Sequence, residues 1–308
     1  MRVRKTALRN AVAIWVMTLA YGVAGYSYAA EAAPIYDESG KGLQQIMHAV
    51  DQAKKESKRV LVQFGGNWCG WCIRLHELCQ KDATLTATLN KLFVVVLLDT
   101  RSNPEVVKSY APDHKSVPYL EVLDADGNII TTQNTEVFEL GSGHDPKKLN
   151  DWLTEWGTKP VDSKQVLDTT LSHAAKSDKK VLLVFGAPSC GWCRKLETIL
   201  HSDAVSPIMF KDYLIAKVDL DSQSGAKELE AKYRTRGGGG IPWFAVLDAK
   251  AQAIVTADKP GSGNVGCPAR PEEIAWFQEV VAKTGTRITP GERDELGRIF
   301  AEETKPKS

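Results

Sequence analysis

Two stretches of the sequence decide its fold: KRVLVQFGGNWCGWC at residues 58–72 and KKVLLVFGAPSCGWC at residues 179–193. Aligned without a gap, they share nine of fifteen residues, including the whole Cys-Gly-Trp-Cys motif. In each stretch the apolar run before the motif is too continuous for a half-exposed strand, which predicts a strand buried on both faces. A repeated strand followed at once by a cysteine pair indicates a duplicated structural unit.

The similarity extends well beyond these two stretches. Residues 119–125 (YLEVLDA) correspond to residues 243–249 (WFAVLDA), and each repeat has a later Gly-Ser-Gly. After the cysteine pair, each repeat has apolar residues at helical spacing and then another buried strand, which predicts a strand–helix–strand unit. The pattern predicts an α/β fold of two tandem domains, residues 41–158 and 162–285, followed by a helical tail at residues 286–308. We expect this tail to form one exposed helix from about Pro290 to Thr304.

The two cysteine pairs have the spacing of a redox centre. A dithiol exchanges disulfides when one exposed thiol attacks as a thiolate and a second thiol lies close enough to displace the mixed disulfide. At a helix start, unpaired backbone N–H groups and the helix dipole stabilise negative charge on the first cysteine, and the second lies one turn further in. We therefore predict Cys69 and Cys190 as attacking thiols, with Cys72 and Cys193 as resolving thiols.

Each repeat resembles the thioredoxin superfamily. The resemblance rests on the buried strand, the Cys-Gly-Trp-Cys motif and a later Val-Pro or Ile-Pro, and it covers nearly all of the chain from residue 41 to residue 285. It implies that each domain is a thioredoxin-like central mixed β-sheet flanked by helices, with thiol–disulfide oxidoreductase activity. No cofactor is expected, because the electrons travel in sulfur. It also implies that two prolines follow cis peptide bonds, face the dithiols and dock the substrate main chain, which adds Val117, Pro118, Ile241 and Pro242 to the site.

The two sites depart from the resemblance and from each other. Thioredoxins bury an acidic residue six positions before the first cysteine, where this sequence has Gln63 and Val184, so proton transfer must use another group or water. The Gly-Trp between the cysteines brings no positive charge to stabilise a thiolate, which leaves the direction of electron flow open. Trp68 precedes the first motif and Ser189 the second, which indicates that the two sites are not equivalent.

Four more side chains are candidates for functional or packing positions near the motifs. Trp71 and Trp192 are expected beside their cysteines, where they either add apolar surface for substrate docking or shield the cysteines. Cys79 is expected to pack in the core, because a free cysteine behaves as a small hydrophobe. Cys267 follows the second Gly-Ser-Gly in a loop that borders the dithiol in the resembling fold. It is therefore a candidate third thiol that exchanges with the second site.

The first thirty residues have the pattern of an export signal. Basic residues at positions 2, 4, 5 and 9 precede an uncharged, partly apolar run at residues 11–30, and small residues then allow cleavage after Ala29 or Ala32. An uncleaved membrane anchor is the alternative, because the run is just long enough to span a bilayer. We expect a periplasmic or secreted protein in the first case and a membrane-anchored protein that faces the periplasm in the second.

The composition narrows the function classes. With 43% hydrophobic and 25% charged residues, the 308-residue chain is typical of globular proteins. Its 39 basic and 38 acidic residues give a formal net charge of +1, which offers no broad field for nucleic acid or an anionic membrane. The histidines are scattered without metal-ligand spacing, so the sequence predicts no metal site.

Together these features predict an exported disulfide reductase or isomerase. Its expected partners are exported proteins with cysteines or disulfides, and an upstream thiol that donates or accepts electrons. The alternative is a binding module: a copper or zinc chaperone, or an assembly factor, that uses its dithiols to hold metal or a client without turnover.

Overall fold

The computed structural model describes residues 34–234 and 239–305. The predicted export signal at residues 1–30 lies outside this range. Among the residues that are described, no helix has the length and apolarity needed to cross a bilayer.

Repeat 1 is built around one central buried strand, β1, in which Val60, Val62 and Phe64 are fully buried. The helix predicted after its cysteine motif is interrupted, because Asp82 ends α2 and then accepts a hydrogen bond from the backbone N–H of Leu85 as the N-cap of α3. The elements of repeat 1 are α1 (Gly42–Glu56), β1 (Arg59–Gly65), α2 (Gly70–Lys81), α3 (Ala83–Leu92), β2 (Phe93–Asp99), α4 (Pro104–Tyr110), β3 (Tyr119–Leu123), β4 (Ile129–Asn134), β5 (Glu139–Leu140), β6 (Gly143–His144) and α5 (Pro146–Thr158).

Repeat 2 has the same order of elements around its own buried strand, β7. Leu183 and Phe185 of this strand are fully buried. The elements of repeat 2 are α6 (Ser163–Lys176), β7 (Lys180–Gly186), α7 (Gly191–His201), α8 (Ser206–Phe210), β8 (Tyr213–Asp219), α9 (Ala226–Tyr233), β9 (Trp243–Leu247), β10 (Ala253–Thr256), β11 (Asp258–Lys259), β12 (Gly263–Asn264), α10 (Pro271–Thr284) and α11 (Pro290–Glu303).

Each repeat forms a four-stranded mixed sheet. The strand order is β2-β1-β3-β4 in repeat 1 and β10-β9-β7-β8 in repeat 2. In repeat 1, β1 pairs in parallel with β2 and antiparallel with β3. In repeat 2, β7 pairs in the same way with β8 and β9. The register places Phe64 opposite Tyr119 and Phe185 opposite Trp243. Two mixed sheets flanked by helices confirm the predicted α/β fold of two thioredoxin-like domains.

The two repeats contact each other through a ring of four charged side chains. Lys54 of α1 lies 2.5 Å from Glu197 of α7 and 3.0 Å from Asp126, which is in the turn between β3 and β4. Lys217 of β8 lies 2.7 Å from each of the same two carboxylates. Because each lysine contacts both carboxylates, the four largely buried charges compensate one another.

Asn128, in the same turn between β3 and β4, covers the free edge of the sheet in repeat 2. Its side chain accepts a 2.7 Å hydrogen bond from the backbone N–H of Lys217 and donates one of 2.8 Å to the carbonyl of Lys217. A neighbouring strand would form the same two bonds, so the turn completes the edge of β8. The corresponding edge strand of repeat 1, β2, leaves Val95 43% exposed.

The C-terminal residues form the predicted helix, α11, but the prediction that this helix is exposed is wrong. Leu296 and Phe300 are fully buried, and the ring of Phe300 lies 4.8 Å from that of Phe277 in α10, measured between centroids. Leu296 and Phe300 are four positions apart, which places both on one face of the helix. That apolar face packs against the body of repeat 2.

Candidate active sites

Site 1 is the disulfide between Cys69 and Cys72 at the start of α2. Cys69 is the N-cap of the helix, and its Sγ accepts a 3.1 Å hydrogen bond from the backbone N–H of Cys72. The two Cα atoms lie 5.2 Å apart. Unpaired N–H groups at a helix start favour negative charge on a side chain placed there. The helix therefore stabilises the thiolate that Cys69 forms on reduction.

Site 2 repeats this geometry at the start of α7. Cys190 is the N-cap of the helix, its Sγ accepts a 3.1 Å hydrogen bond from the backbone N–H of Cys193, and the two cysteines form a disulfide. The Cα separation is again 5.2 Å. Because a buried strand delivers each motif to a helix start, the same local sequence gives the same sulfur geometry in both repeats.

Each disulfide lies beside a cis-proline loop. The Val117–Pro118 and Ile241–Pro242 peptide bonds are both cis. The carbonyl oxygen of Val117 lies 3.6 Å from the first sulfur of site 1, and that of Ile241 lies 3.4 Å from the first sulfur of site 2. The fold thus brings the cysteines together with the four residues that the resemblance implied. Their use in docking a substrate stays a prediction.

The tryptophans of the two motifs differ in exposure. Trp192 is 53% exposed, whereas Trp71 is partly buried and packs edge-on against the imidazole of His144, with 5.3 Å between the ring centroids. Asn264 follows Gly-Ser-Gly in repeat 2, where His144 follows it in repeat 1. The Asn264 side chain donates its hydrogen bonds to backbone carbonyls of the cis-proline loop instead. Site 2 therefore presents an open indole, and site 1 presents a covered one.

His144 is a neighbour of site 1 that sequence reasoning missed. Burial, followed by the positive charge of Arg74, lowers the pKa of His144 below its usual range and favours the neutral imidazole. The Arg74 guanidinium also lies over the Trp71 ring, 4.4 Å from its centroid. The Gly-Ser-Gly that precedes His144 is shared by both repeats and was the signal that could have placed this histidine near the site.

Tyr36, from the segment before α1, packs behind the disulfide of site 1. It is 1% exposed and forms one apolar cluster with Cys69 and Cys72. Its hydroxyl accepts a 2.5 Å hydrogen bond from Nε2 of Gln63, the residue at the position where thioredoxins have an acid. Two neutral polar side chains, Tyr36 and Gln63, therefore lie next to Cys72. Sequence reasoning missed Tyr36 because it precedes the repeat and has no counterpart in the alignment of the two motifs.

A small cavity lies behind Cys193 of site 2. Its volume is about 20 Å³, close to the space that one water molecule needs, and Glu197 and Lys217 of the charged ring line it. Glu197 follows Cys193 by four residues, which places both on one face of α7. Charged groups behind the second sulfur of site 2 thus come from α7 and β8 rather than from the position of Val184. The spacing of four between Cys193 and Glu197 is a signal already present in the sequence, because residues four apart share a helix face.

Cys267 lies in a cleft of about 280 Å³ that Trp192 and Pro242 also line. The thiol is buried, and this burial raises its pKa to about 12, so it is protonated at neutral pH. The predicted loop position is therefore correct, and its exchange with site 2 stays a prediction. Cys79 packs against the core of repeat 1, as expected, with its pKa also raised to about 12 by burial.

Across residues 34–234 and 239–305, no group of three or more histidine, cysteine or carboxylate side chains is arranged to hold a metal ion. In the same ranges, the four motif cysteines are paired in two disulfides, and Cys79 and Cys267 are free thiols.

Comparison with known proteins gives a family match over more than half of the chain. Residues 43–119 and 146–269 match the family model described as "Thioredox_DsbH: Protein of unknown function, DUF255". The two matched segments contain both cysteine motifs and both cis-prolines. The family match therefore covers the two sites described above.

Individual relatives have names that refer to disulfide chemistry. Protein disulfide-isomerase tigA of Aspergillus niger is 26% identical over 249 residues, which cover 78% of this chain and 63% of that protein. Protein disulfide-isomerase erp38 of Neurospora crassa is also 26% identical over 249 residues, covering 78% and 61%. The chain thus spans about three fifths of the length of these curated relatives. A crystal structure of a disulphide isomerase from Xylella fastidiosa Temecula1 aligns with 48% of this chain and 95% of that one, at 19% identity and a TM-score of 0.31.

Proposed function

We propose, because this chain belongs to the Thioredox_DsbH family, that it is a thiol–disulfide oxidoreductase that reduces or isomerises disulfides in client proteins. The observation that carries the proposal is geometric. Each motif presents a first sulfur at a helix start, within 3.6 Å of a carbonyl oxygen of a cis-proline loop, and a second sulfur one turn deeper. This arrangement supplies an attacking thiolate and a resolving thiol in the same site.

The reaction proceeds in two exchange steps. The reduced first cysteine, Cys69 or Cys190, attacks one sulfur of a client disulfide, and the other client sulfur leaves as a thiolate that takes up a proton. The second cysteine, Cys72 or Cys193, then loses its proton and attacks the mixed disulfide, which forms the disulfide of the motif and releases the reduced client. Two electrons pass to the client, and an upstream thiol partner then supplies two electrons that reduce the motif disulfide again. In isomerisation the client thiolate attacks a new disulfide before the second step occurs.

The client main chain would dock beside Pro118 or Pro242. An extended peptide pairs with exposed backbone groups as a short strand, which positions its disulfide against the first cysteine. Trp71 and Trp192 add apolar surface next to this position. These residues, with Val117 and Ile241, form the proposed substrate-binding part of each site.

The proposed location is outside the cytosol. The basic, then apolar, then small-residue pattern of residues 1–32 supports export. Disulfide-bonded clients are also concentrated in oxidising compartments. The proposed clients are accordingly exported proteins with cysteines.

Cys267 is proposed as a third thiol of site 2. It lies in the cleft with Pro242 and Trp192, and its raised pKa makes exchange slow at neutral pH and faster at alkaline pH. A Cys193→Ser variant should accumulate a Cys190–Cys267 disulfide on mild oxidation, detected by peptide mass spectrometry. If none forms even at pH 9, the third thiol is excluded.

The function is tested by insulin reduction with dithiothreitol as electron source, followed by turbidity. The native protein should accelerate the reaction, and a Cys69→Ser, Cys190→Ser double variant should not. Cys79→Ala is the matched control, because it removes a cysteine that belongs to neither disulfide. Mass spectrometry of the purified protein tests the binding module: stoichiometric copper or zinc that is lost in Cys69→Ser, without insulin reduction, would contradict the proposed activity.

A further inference from the structure

The space behind the second sulfur of site 1 is filled by a residue that the repeat does not contain. A β-carbon built on Gly65 would lie 2.5 Å from the Tyr36 hydroxyl and 2.8 Å from Cys72 Sγ. The hydroxyl and the sulfur therefore both lie close to the position that this β-carbon would occupy. At the matching glycine of repeat 2, Gly186, the atoms found within 4 Å of the same point in the described chain belong to Cys193. Tyr36 is therefore an added neighbour of the resolving sulfur in site 1.

The Tyr36 hydroxyl hydrogen is not used in the hydrogen bond with Gln63. Nε2 of Gln63 donates to the hydroxyl oxygen, and the same Nε2 lies 3.4 Å from the carbonyl oxygen of Cys72. Because Gln63 occupies the hydroxyl as an acceptor, the hydroxyl hydrogen remains for donation. Burial raises the pKa of Tyr36 above its usual range, so the group stays protonated and acts as a donor.

The segment that carries Tyr36 is fixed by Asn67, two residues before the motif. The Asn67 Oδ1 atom accepts 3.0 Å hydrogen bonds from the backbone N–H groups of Ile35 and Tyr36, and its Nδ2 donates to the carbonyl of Tyr36 at 2.9 Å. Pro188 stands at the matching position of repeat 2 and has no such side chain. The clamp ties the segment to the loop that positions the first cysteine.

We propose that the Tyr36 hydroxyl donates a hydrogen bond to the Cys72 thiolate and so promotes the release step at site 1, in place of the buried acid that this site lacks. The inference rests on the proposed function and names a catalytic group for it. In the release step, Cys72 loses its proton to solvent and its thiolate attacks Cys69 in the mixed disulfide. The Cys69–Cys72 bond forms as the Cys69–client bond breaks, and the departing client thiolate gains a proton.

Two other titratable groups face Tyr36. They are the carboxylate of Asp99 at the end of β2 and the thiol of Cys79 on α2, and burial keeps this thiol protonated at neutral pH. Asp99 is 2% exposed, and its Oδ2 has no hydrogen-bond partner among the described residues. A hydrogen bond from Tyr36 would favour the Cys72 thiolate in this buried environment.

The test uses the small disulfide 5,5′-dithiobis(2-nitrobenzoic acid) as probe and the full chain with site 2 disabled by Cys190→Ser and Cys193→Ser. Reduced Cys69 attacks the probe and releases one coloured thiolate, and Cys72 then releases the second. The rate of the second release against pH reports the pKa of Cys72. Tyr36→Phe keeps the ring and removes the donor, and should slow the second release about tenfold at pH 7 with its midpoint about one pH unit higher.

The matched control is the same Tyr36→Phe change in a chain with site 1 disabled by Cys69→Ser and Cys72→Ser, where the release from site 2 should not change. An unchanged midpoint in Tyr36→Phe overturns the inference. So does a faster second release in both Tyr36→Phe and Tyr36→Ala, because Tyr36 would then act as a cover. If the native protein shows the expected profile with the probe but never reduces insulin, the proposed function fails while the inference about Tyr36 stands.

Discussion

Sites 1 and 2 have the same motif, the same helix start and the same cis-proline loop, yet they differ on both sides of the disulfide. Behind the second sulfur, site 1 has Tyr36 and Gln63, whereas site 2 has a small cavity lined by Glu197 and Lys217. The duplicated segment determines where the sulfurs lie. Other neighbours of the second sulfurs come from elsewhere: Tyr36 from the segment before α1 in repeat 1, and Glu197 and Lys217 from the contact between the repeats in repeat 2.

The open faces of the two sites differ as well. His144 covers Trp71 in site 1, and a five-residue longer loop containing Cys267 leaves a cleft beside Trp192 in site 2. A client therefore meets a more accessible surface at site 2. We infer that the two sites divide the work between them rather than duplicate it.

The largest expected contrast is in thiol reactivity. With a pKa near 12 instead of 9.0, Cys267 has about a thousandfold less thiolate at pH 7 than an ordinary thiol. In the reduced protein, iodoacetamide should label Cys190 at pH 7 and label Cys267 only slowly, with the Cys267 rate rising about tenfold per pH unit. Peptide mass spectrometry measures both. If Cys190 and Cys267 are labelled at equal rates at pH 7, site 2 has a third reactive thiol that site 1 does not have.

The second contrast is in stability. Glu197→Gln removes one carboxylate from the charged ring and leaves Lys54 and Lys217 to share Asp126, which should lower the free energy of unfolding by about 3 kcal/mol. Urea unfolding measures the loss. Glu77→Gln is the matched control, because Glu77 pairs only with the exposed Lys81 on the surface of repeat 1 and should show no measurable change. Equal losses in the two variants would show that the charged ring contributes no more to the free energy of unfolding than a surface ion pair.

The third contrast is in activity. Cys69 is 7% exposed, whereas Cys190 is more accessible and lies beside an open indole. Cys190→Ser should therefore lower insulin reduction about tenfold, and Cys69→Ser should lower it less than twofold. Both variants are assayed at equal concentration with the same electron source. Losses of the same size would mean that burial of site 1 does not restrict protein clients.

The smallest contrast is the response to acid. Because burial lowers the pKa of His144 below 6.5, the unfolded chain binds more protons than the folded one as pH falls below 6.5. His144 then destabilises the fold increasingly until the pH reaches its folded pKa. The melting temperature should drop by about 2 °C more between pH 7 and pH 5 in the native protein than in His144→Asn. If the melting temperature drops equally in the native protein and in His144→Asn, the contact between His144 and Trp71 is not sensitive to acid.

Much of the fold was predictable because it depends on local patterns. The continuous apolar runs before each motif gave the central strands, and the Val-Pro and Ile-Pro pairs marked the loops that face the cysteines. The exposure of α11 was predicted wrongly, because its few apolar residues stand in a largely polar helix and the burial of Phe300 involves Phe277 in another element. A short polar sequence does not specify its tertiary partner.

The surroundings of the sites were less predictable for the same physical reason. Tyr36 reaches site 1 through Asn67, a contact between residues about thirty positions apart with no periodic signal. Glu197 had a signal, its spacing of four from Cys193, but its partner Lys54 belongs to the other repeat. Side chains that meet only after the repeats pack cannot be paired from one sequence.

The turn that carries Asn128 limits how this protein can be dissected. It supplies two hydrogen bonds to Lys217 on the outer edge of β8, so expressing repeat 2 alone would uncover that edge and make it prone to pair with a strand of another chain. It would also leave Glu197 and Lys217 without their partners from repeat 1. The two redox couples should therefore be separated by cysteine substitution in the intact chain, because a truncated repeat would be more prone to aggregate.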